Sequence, residues 1–595
     1  MPPLDITPPG PEENTALARL QTAVPPAQDR AQIAADYLGI TAPRTLQTLP
    51  PVYTPGDSET FWVKNFDTQG NNQITAVLRY QSDDLLMWFE EGLQPEPEAI
   101  TAAARHIETQ ILPTNRVFFG QEWQPGVDND PRLTILHVAD VGQIATAYFD
   151  FANEYVTAVS PYSNQREMLT VGMKTAPLNS NTYFSAIAHE LFHLIQWGQD
   201  SNESGWLSEG LAELAALLNG YPPERDEDFA KQTDIQLTNL SQQPDEINAH
   251  YAASTLFVSY LYDTYGAEAI QAITAHPENG ADSIEAVLRD RGIDVSFADL
   301  FAGWTASLVA TPADGSLARP SLSPMTLKPP ALVTDDVHQF GTDFYKITGT
   351  APVTAVFTGT RTVSLFPASA HSGKHVWFSY PADESAVTLT RALDLTAVSR
   401  ATLTFWTWYD LEEGWDYGYT AVSTNNGQSW HIIPTTTTTT ENPQGNNLGA
   451  GLTGISGNGQ QPLWVQQTAD LSPFAGQPIL LQFLVVTDTA VHHTGLLIDD
   501  IAVPEISFFD DVEQSENDWQ AAGVVRVTPK LPQRFIVQMI LFGQNELKVK
   551  QLTLNEQQAT WSIPLGDTYQ EAWITISGAT PVTQETAVYQ LMIDD

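Results

Sequence analysis

The spacing of apolar residues along this chain changes once, near residue 320, and that change limits the fold more than any other feature. From about residue 116 to 310, strand-like runs give way to helical periodicity, which is typical of an α+β domain. After residue 320, short runs rich in Thr, Val, Trp and Tyr are separated by Gly, Pro and Asn, which predicts an all-β half. Because 595 residues are too many for one core, we expect a multidomain protein: an α+β domain followed by all-β jelly-roll or β-sandwich modules.

Local composition divides the chain further. The first 45 residues are Pro-rich, contain one predicted helix (Asp29–Leu38) and are typical of a tether or a pro-segment remnant. Alternating apolar runs at 60–63, 75–80 and 85–89 predict a small β region, and a helical run follows at 97–112. The predicted units are a Pro-rich N-terminal extension (1–45), a small β region (46–115), the α+β domain (116–315), a β linker region (316–370), a jelly-roll module (371–505) and a C-terminal β-sandwich module (506–595).

The chain is strongly acidic, and this excludes two classes of partner. It has 26 Lys and Arg against 71 Asp and Glu, a net charge of −45. Such a field repels phosphate backbones and anionic lipid heads, so we expect no binding to nucleic acid or to a membrane surface. Only 16% of residues are charged, and uncharged polar residues cover much of the surface, which suits a secreted protein. No apolar run is long enough for a membrane span.

The first residues show neither the basic region nor the apolar core of a signal peptide. We expect that a leader was removed, that the protein is extracellular or at the cell surface, and that it is a monomer.

The residues best suited to chemistry lie in TYFSAIAHELFHLIQW (182–197), where apolar positions recur with a helical period. His189 and His193 are one turn apart, so both imidazoles can bind one Zn²⁺, and Glu190 lies next to the open coordination position as a general base. The chain has no cysteine, so any metal must be held by His, Asp, Glu or carbonyl oxygen. The alternative is a surface helix with two solvated histidines.

A catalytic zinc site needs a third protein ligand, and the next predicted helix offers one. In NESGWLSEGLAELAALLNGY the leucines form a buried stripe, while Glu209 and Glu213 share another face. Glu209 lies sixteen residues after His193, which leaves room for a loop that brings the two helices together. Glu213 can then accept a hydrogen bond from a ligand imidazole and fix its tautomer. The alternative is an ordinary solvated helix face.

HELFH followed by WLSEGLAE resembles the gluzincin zinc metallopeptidases, and most closely the hyicolysin-like group of secreted bacterial peptidases. The similarity extends to GVDNDPRLTIL (126–136), SNQREM (163–168) and HYAASTLFVSYLYDTYG (250–266), so it covers about 116–310. Gln196 stands where the metzincin motif requires Gly, which excludes that class of peptidase.

This resemblance implies a zincin-type metallopeptidase domain with a thermolysin-type zinc cleft. It implies that His189, His193 and Glu209 are the zinc ligands and that Glu190 is the base. Some relatives have Asn at the position of Ser208, and this departure affects the surroundings of the metal more than its ligands.

Peptide hydrolysis also needs a hydrogen-bond donor for the oxyanion, and the next helix offers two candidates. His250 and Tyr251 open that predicted helix, and Tyr251 resembles the transition-state tyrosine of gluzincin aminopeptidases. The alternative for Tyr251 is half-buried packing. The resemblance implies that the run MLTVGM (168–173) is the sheet edge on which a substrate strand adds, the alternative being a fully paired internal strand.

Residues 371–505, with FWTWYDLEEGWDYGYTAVSTNNGQSW and GLLIDDIAV, resemble the C-terminal jelly-roll module of immune inhibitor A type peptidases. Four acids at predicted strand ends form a candidate Ca²⁺ site, because hard carboxylates suit that ion: Asp410, Glu412, Asp416 and Asp500. The alternative is a solvated acidic loop.

The sequence therefore predicts a secreted, zinc-dependent endopeptidase that hydrolyses polypeptides. The alternative is a cell-surface adhesin, or a glycan- or protein-binding protein, whose metallopeptidase domain is vestigial. A pseudoenzyme scaffold is a further alternative, which measurement of the bound metal distinguishes from the enzyme.

Overall fold

The computed structural model describes residues 4–46, 49–222, 226–240, 246–309, 320–457, 459–489, 491, 493–514, 518–544 and 546–594. These residues form helices and one mixed sheet up to residue 309 and β-sheets beyond residue 324, so the chain is multidomain with an all-β C-terminal region. The predicted boundary at residue 315 lies outside the described residues. None of the described helices is both long and apolar enough to cross a membrane.

The helices fall almost entirely in the first half of the chain. Two π-helical turns, Ala34–Leu38 and Ile107–Ile111, extend α2 and join α3 to α4, so helices form where the sequence predicts them at 29–38 and 97–112. The helices are α1 (Pro11–Gln21), α2 (Arg30–Ile33), α3 (Pro97–His106), α4 (Leu112–Phe119), α5 (Asn181–Trp197), α6 (Gly205–Leu218), α7 (Asp226–Lys231), α8 (Ile247–Tyr265), α9 (Ala267–Thr274), α10 (Gly280–Asp290) and α11 (Phe297–Val309).

The strands divide between an N-terminal sheet and the all-β half. The first set is β1 (Ser58–Asn65), β2 (Gly70–Gln81), β3 (Leu85–Glu90), β4 (Leu133–Val138), β5 (Ala147–Phe149) and β6 (Met168–Gly172). The second set is β7 (Met325–Leu327), β8 (Ala331–Val337), β9 (Asp343–Thr348), β10 (Val353–Gly359), β11 (Thr362–Ser364), β12 (Val376–Ser379), β13 (Ala386–Asp394), β14 (Thr402–Asp410), β15 (Tyr417–Ser423), β16 (His431–Ile432), β17 (Val465–Asp470), β18 (Pro478–Val486), β19 (Gly495–Val503), β20 (Phe508–Asp510), β21 (Gln520–Ala522), β22 (Val524–Val527), β23 (Lys530–Pro532), β24 (Phe535–Gly543), β25 (Leu547–Gln551), β26 (Gln558–Ile563), β27 (Tyr569–Gly578) and β28 (Ala587–Asp594).

The N-terminal sheet has six strands in the order β1-β2-β3-β4-β6-β5. Strands β3, β4 and β6 are parallel, and β5 runs antiparallel to β6. The predicted edge strand at 168–173 is β6, which lies between β4 and β5, so that prediction is wrong. The edge is β5, whose three residues are too few to show an alternating pattern in the sequence.

Helices α3 to α11 and the N-terminal sheet share one apolar core. Phe89, Ile135 and Leu169 of the sheet belong to the same buried cluster as Ile187 and Leu191 of α5. The apolar stripe from which the sequence predicts α5 therefore packs in this core, and the opposite face of the helix points away from it.

Two five-strand layers form a sandwich in the middle of the all-β half, in the orders β17-β14-β19-β12-β22 and β16-β15-β18-β13-β21. Strand β20 pairs with β19 as an addition to the first layer. Because β20, β21 and β22 lie between residues 508 and 527, the sandwich continues past the predicted boundary at residue 505.

A second sandwich is built from both ends of the all-β half. One layer has the order β26-β10-β28-β8, and the other has the order β25-β24-β27-β9-β7. The predicted β linker region (316–370) thus supplies strands to the same sheets as the predicted C-terminal module (506–595), so the two are not separate units. The middle sandwich is inserted between β10 and β24. The chain enters it through β11 and leaves it through β23, and these two short strands pair with each other.

The N-terminal extension packs against the inserted sandwich. Leu17 and Leu20 of α1 are buried with Val527 and Leu531. Farther along, the Tyr37 hydroxyl donates to Gln482 at 2.5 Å. The extension is therefore a packed part of the fold, whereas its composition alone predicts a tether.

Candidate metal centre

Helix α5 presents the H-E-x-x-H residues on its face toward α6. Ser180 caps the helix by accepting a hydrogen bond from the Tyr183 N–H at 3.1 Å. His189, Glu190 and His193 are partly exposed, whereas the apolar positions of the helix are buried in the core. The apolar stripe thus holds α5 against the core, and the polar side chains at the other positions are available to form a metal site.

Helix α6 brings Glu209 to the two histidines because it packs closely between α5 and α8. Gly210 makes this approach to α8 possible: a Cβ there would lie 2.8 Å from the Ser254 carbonyl oxygen and 2.7 Å from Val258 Cγ2. The carboxylate one residue earlier, on Glu209, then faces α5.

The side chains of His189, His193 and Glu209 converge on one point. Glu209 Oε2 lies 3.1 Å from His189 Nε2 and 3.6 Å from His193 Nε2, and the two Nε2 atoms are 3.2 Å apart. Ligands held at 2.0–2.1 Å in a tetrahedral zinc site are about 3.4 Å from one another. The three groups therefore fit a zinc ion.

The charges at this point favour a cation. Burial lowers the pKa of His189, but the hydrogen bond and charge of Glu209, with the charges of Glu190 and Glu213, outweigh burial and raise the pKa to about 9. Burial acts to raise the pKa of Glu209, but His193 and His189 reverse this and hold it well below its usual value. These charges thus favour a proton on His189 in the metal-free chain, and a bound metal ion would replace that proton.

Ser208 fixes the ring of His193. The His193 Nδ1 and the Ser208 hydroxyl oxygen are 3.2 Å apart, and that hydroxyl donates in turn to the side-chain oxygen of Gln196. This direction makes His193 Nδ1 the donor and leaves Nε2 free for a metal. The sequence identifies Ser208 as a departure from relatives, but does not reveal this contact.

The predicted partner of His189 lies at a longer distance. Glu213 Oε1 is 3.8 Å from His189 Nδ1, which is longer than a hydrogen bond but close enough for a charge interaction. Glu213 therefore lies beside the imidazole of His189, one of the two histidines predicted to bind zinc.

Glu190 is held by the edge strand. Its Oε2 accepts the backbone N–H of Phe149, the last residue of β5, at 2.9 Å. The carboxylate therefore lies between the histidine helix and the open side of the sheet.

His250 and Tyr251 both lie in the first turns of α8. His250 is 4% exposed, and its Nδ1 has no hydrogen-bond partner in the described part of the chain. Burial and then the charge of His338 lower the pKa of His250 to about 4, so this ring faces the loop between β8 and β9. Tyr251 is half-buried, one turn before Ser254, where α8 contacts α6. Catalytic roles for both residues stay predictions.

The hydrogen bond and charge of Asp410, with the charges of Glu412 and Asp416, raise the pKa of His493, so three of the acids predicted to bind Ca²⁺ lie in one region and Asp500 lies apart from them. Asp410 Oδ1 contacts His493 Nδ1 at 2.8 Å, whereas Asp500 Oδ2 contacts His371 Nδ1 at 2.7 Å. Asp410 lies opposite Gly495 in the ladder of β14 and β19, so Asp500, five residues farther along β19, is about 17 Å away.

Asp416 Oδ1 accepts the Asp488 N–H at 3.0 Å. Across the described residues, one group of three or more His, Asp or Glu side chains brings its ligand atoms within 4.8 Å of one another, and it consists of His189, His193 and Glu209. The predicted set of four Ca²⁺ ligands is therefore not assembled, because Asp500 lies apart, and Ca²⁺ binding by Asp410, Glu412 and Asp416 stays a prediction. The sequence shows acids at strand ends but not which ends lie together.

A second buried polar cluster has no signal in the sequence. Glu154 and Glu167 are 1% and 3% exposed, and their carboxyl groups contact each other. Burial is the main reason why the pKa of each is raised above its usual value. Glu167 Oε1 also accepts the Val127 N–H at 3.0 Å. A Cβ on Gly126 would overlap the Glu167 carboxylate, so glycine is required there.

Comparisons with known proteins give two similarities. Residues 355–528 match the family model described as immune inhibitor A-like, MAM domain. The resemblance predicted for residues 371–505 is thus confirmed and extends beyond both predicted boundaries, in agreement with the inserted sandwich. We call this sandwich the MAM-like module.

The chain is also similar to the pre-pro-metalloprotease PrtV of Vibrio cholerae serotype O1, in the strains M66-2 and ATCC 39315 / El Tor Inaba N16961. In both cases 31% of residues are identical over 129 residues, which is 22% of this chain and 13% of the relative. The similarity to a metalloprotease agrees with the predicted protease-related function.

Proposed function

We propose that this protein is a secreted zinc endopeptidase of the gluzincin type, with a zincin-type α+β domain predicted at residues 116–315. The observation that carries this proposal is the set of distances, 3.1, 3.2 and 3.6 Å, among the ligand atoms of His189, His193 and Glu209. The partial similarity to a metalloprotease supports the same reaction class.

Zinc bound there would supply a Lewis acid and lower the pKa of a water molecule toward neutrality. Glu190 is the general base of this proposal: it takes the proton of the attacking water and returns it to the leaving amine. The Phe149 N–H orients its carboxylate and leaves the second oxygen free for that proton. Tyr251 is our candidate for the oxyanion donor, on the helix next to α6.

The substrate class follows from the same geometry. The open side of β5 lies beside Glu190, so an extended polypeptide can add to the sheet edge next to the proposed base. The net charge of −45 favours neutral or basic polypeptides over acidic ones. An extracellular location remains part of the proposal.

Cleavage of casein by the wild type and by Glu190→Gln tests the mechanism. We expect the wild type to contain one zinc ion and to lose activity with a chelator, and we expect Glu190→Gln to keep the zinc and lose at least about a hundredfold in kcat. Equal activity of the two proteins contradicts the role of Glu190. A purified wild type without stoichiometric zinc supports the scaffold or adhesin alternative.

A further inference from the structure

The helix that carries Glu209 begins at a carboxylate of the MAM-like module. The backbone N–H of Gly205, the first residue of α6, donates to Asp383 Oδ2 at 2.7 Å. Ser204, at the N-cap position, makes no side-chain capping bond, so Asp383 takes that place from 178 residues away. Asp383 is 4% exposed. Unpaired N–H groups and the positive end of the helix dipole both favour a carboxylate at this point.

The capped turn is the one that presents groups to the metal centre. In an α-helix the N–H of residue 209 bonds to the carbonyl of residue 205, so Glu209 closes the turn that Gly205 opens. Ser208, which fixes His193, lies in the same turn. The position of two groups of the site thus depends on how firmly this first turn is formed.

The loop that carries Asp383 is itself held firmly. It joins β12 to β13, and the Thr487 hydroxyl donates to the Ala382 carbonyl at 2.6 Å, while the Glu384 N–H donates to the Asp488 carbonyl at 2.7 Å. Glu384 has φ +40°, which a residue with a side chain adopts only where its surroundings fix it. The loop is therefore a rigid support for Asp383.

The same loop also reaches the histidine helix. The carboxyl group of Glu384 is buried beside the indole of Trp197, the last residue of α5. The N-terminal extension closes over the loop from outside, where the Gln28 N–H donates to the Glu384 carbonyl at 2.8 Å. Two consecutive acids thus contact the end of α5 and the start of α6.

We propose that the MAM-like module holds the metal centre in its binding geometry through Asp383, a positioning residue that fixes the first turn of α6. This inference rests on the proposed function, because it takes the three ligands to bind a divalent cation. Without the cap, the first turn opens in part of the metal-free chains. The apparent affinity for the metal then falls with the fraction in which Glu209 is in place.

Metal titration of the full chain tests this. With Zn²⁺ and a competing chromogenic chelator, we expect Asp383→Ala to raise the Kd about fivefold to tenfold. Asp383→Asn keeps an acceptor for the Gly205 N–H, so its Kd should stay within about twofold of the wild type. With Co²⁺ in place of Zn²⁺, the visible spectrum of Asp383→Ala should differ from that of the wild type, because Glu209 then coordinates the ion in only part of the molecules.

Two further variants keep the test decisive. Asp510→Ala is the matched control, since Asp510 is equally buried in the module but accepts the Val512 N–H and the Trp519 Nε1–H within it; its Kd should be unchanged. Gly205→Pro breaks the same contact from the α6 side, because it removes the donor and its Cδ displaces the Asp383 carboxylate. Proline suits the first helical position, and Ser204, at φ −55° and ψ 128°, already has the conformation required before it.

The outcomes separate the two proposals. A raised Kd in Asp383→Ala and Gly205→Pro, with Asp383→Asn and Asp510→Ala unchanged, supports the inference. Suppose that the wild type binds zinc and that a folded Asp383→Ala or Gly205→Pro variant has the same Kd and Co²⁺ spectrum as the wild type. This result overturns the inference and leaves the proposed function standing. A rise of equal size in Asp510→Ala also overturns it, because general weakening of the module then explains the effect. A wild type that binds no metal overturns both.

Discussion

The backbone N–H of Phe149 donates to Glu190 Oε2 at 2.9 Å, so the edge strand of the sheet is bonded directly to the side chain that follows His189. This N–H points away from β6 and toward the helix. This bond therefore fixes β5, on which we place the substrate, relative to Glu190, which we expect to accept the proton.

Removing this N–H should impair catalysis without removing the metal. Proline is compatible with an edge strand where its nitrogen makes no ladder bond, so Phe149→Pro should fold and lower kcat about tenfold, the typical effect of a lost hydrogen bond to a charged group. Phe149→Leu keeps the N–H and serves as the control. The role of this bond is refuted if both variants have the same kcat at equal zinc content.

Ser208→Ala should weaken metal binding through His193. Loss of the hydroxyl leaves the His193 Nδ1–H without its acceptor, and such partners of metal ligands typically contribute tenfold to a hundredfold in affinity. We expect a Kd for zinc about tenfold higher, measured by chelator competition. Ser259→Ala is the control, because that hydroxyl is buried on α8 and has no hydrogen-bond partner among the described residues. Equal affinities for the two variants contradict the prediction.

Gly210→Ala should separate α6 from α8. The added Cβ would lie within 2.8 Å of the Ser254 carbonyl oxygen, and backbone cannot yield as a flexible side chain does. We expect the free energy of unfolding, measured with urea, to fall by about 1–3 kcal/mol. An unchanged midpoint and slope would show that the two helices have room for a methyl group.

The buried pair Glu154 and Glu167 should make stability fall as pH rises. Both pKa values are raised in the folded chain, so above the usual value of about 4.5 the native state keeps protons that the unfolded state has released. The stabilising effect is complete below that value and is lost toward the raised native pKa.

Glu154→Gln should therefore flatten the pH dependence of the unfolding free energy between pH 5 and 8 by at least about 1 kcal/mol. Glu98→Gln, at an exposed position of α3, removes the same formal charge and should leave the slope as in the wild type. Parallel curves for the two variants contradict the assignment.

The convergence of His189, His193 and Glu209 could be predicted because the information that determines it is local. The spacing of His189 and His193 within one helix determines that their rings project together, and the helix periods on either side of the intervening loop place Glu209 on a free face. The contact between Ser208 and His193 could not be predicted, since it depends on the angle at which α6 crosses α5. That angle follows from packing against α8 at Gly210.

The errors in the β regions concern which strands become neighbours. An alternating pattern identifies β6 and β14 as strands, but pairing is decided by contacts between residues far apart in the chain. For this reason β6 is internal although the family resemblance implies an edge, and Asp410 and Asp500 lie at separate points along one ladder. The same limit applies to Asp383, whose partner Gly205 is 178 residues away.

The insertion of the MAM-like module between β10 and β24 determines how this protein can be shortened. Cutting the chain after residue 528 would strip β8, β9 and β10 of their partners β26, β27 and β28 and leave open apolar sheets. An internal deletion that joins β11 directly to β23 instead spares every one of these ladders, since Thr362 already lies opposite Pro532. Proteolytic loss of the last strands should therefore lead to aggregation rather than to a smaller soluble protein.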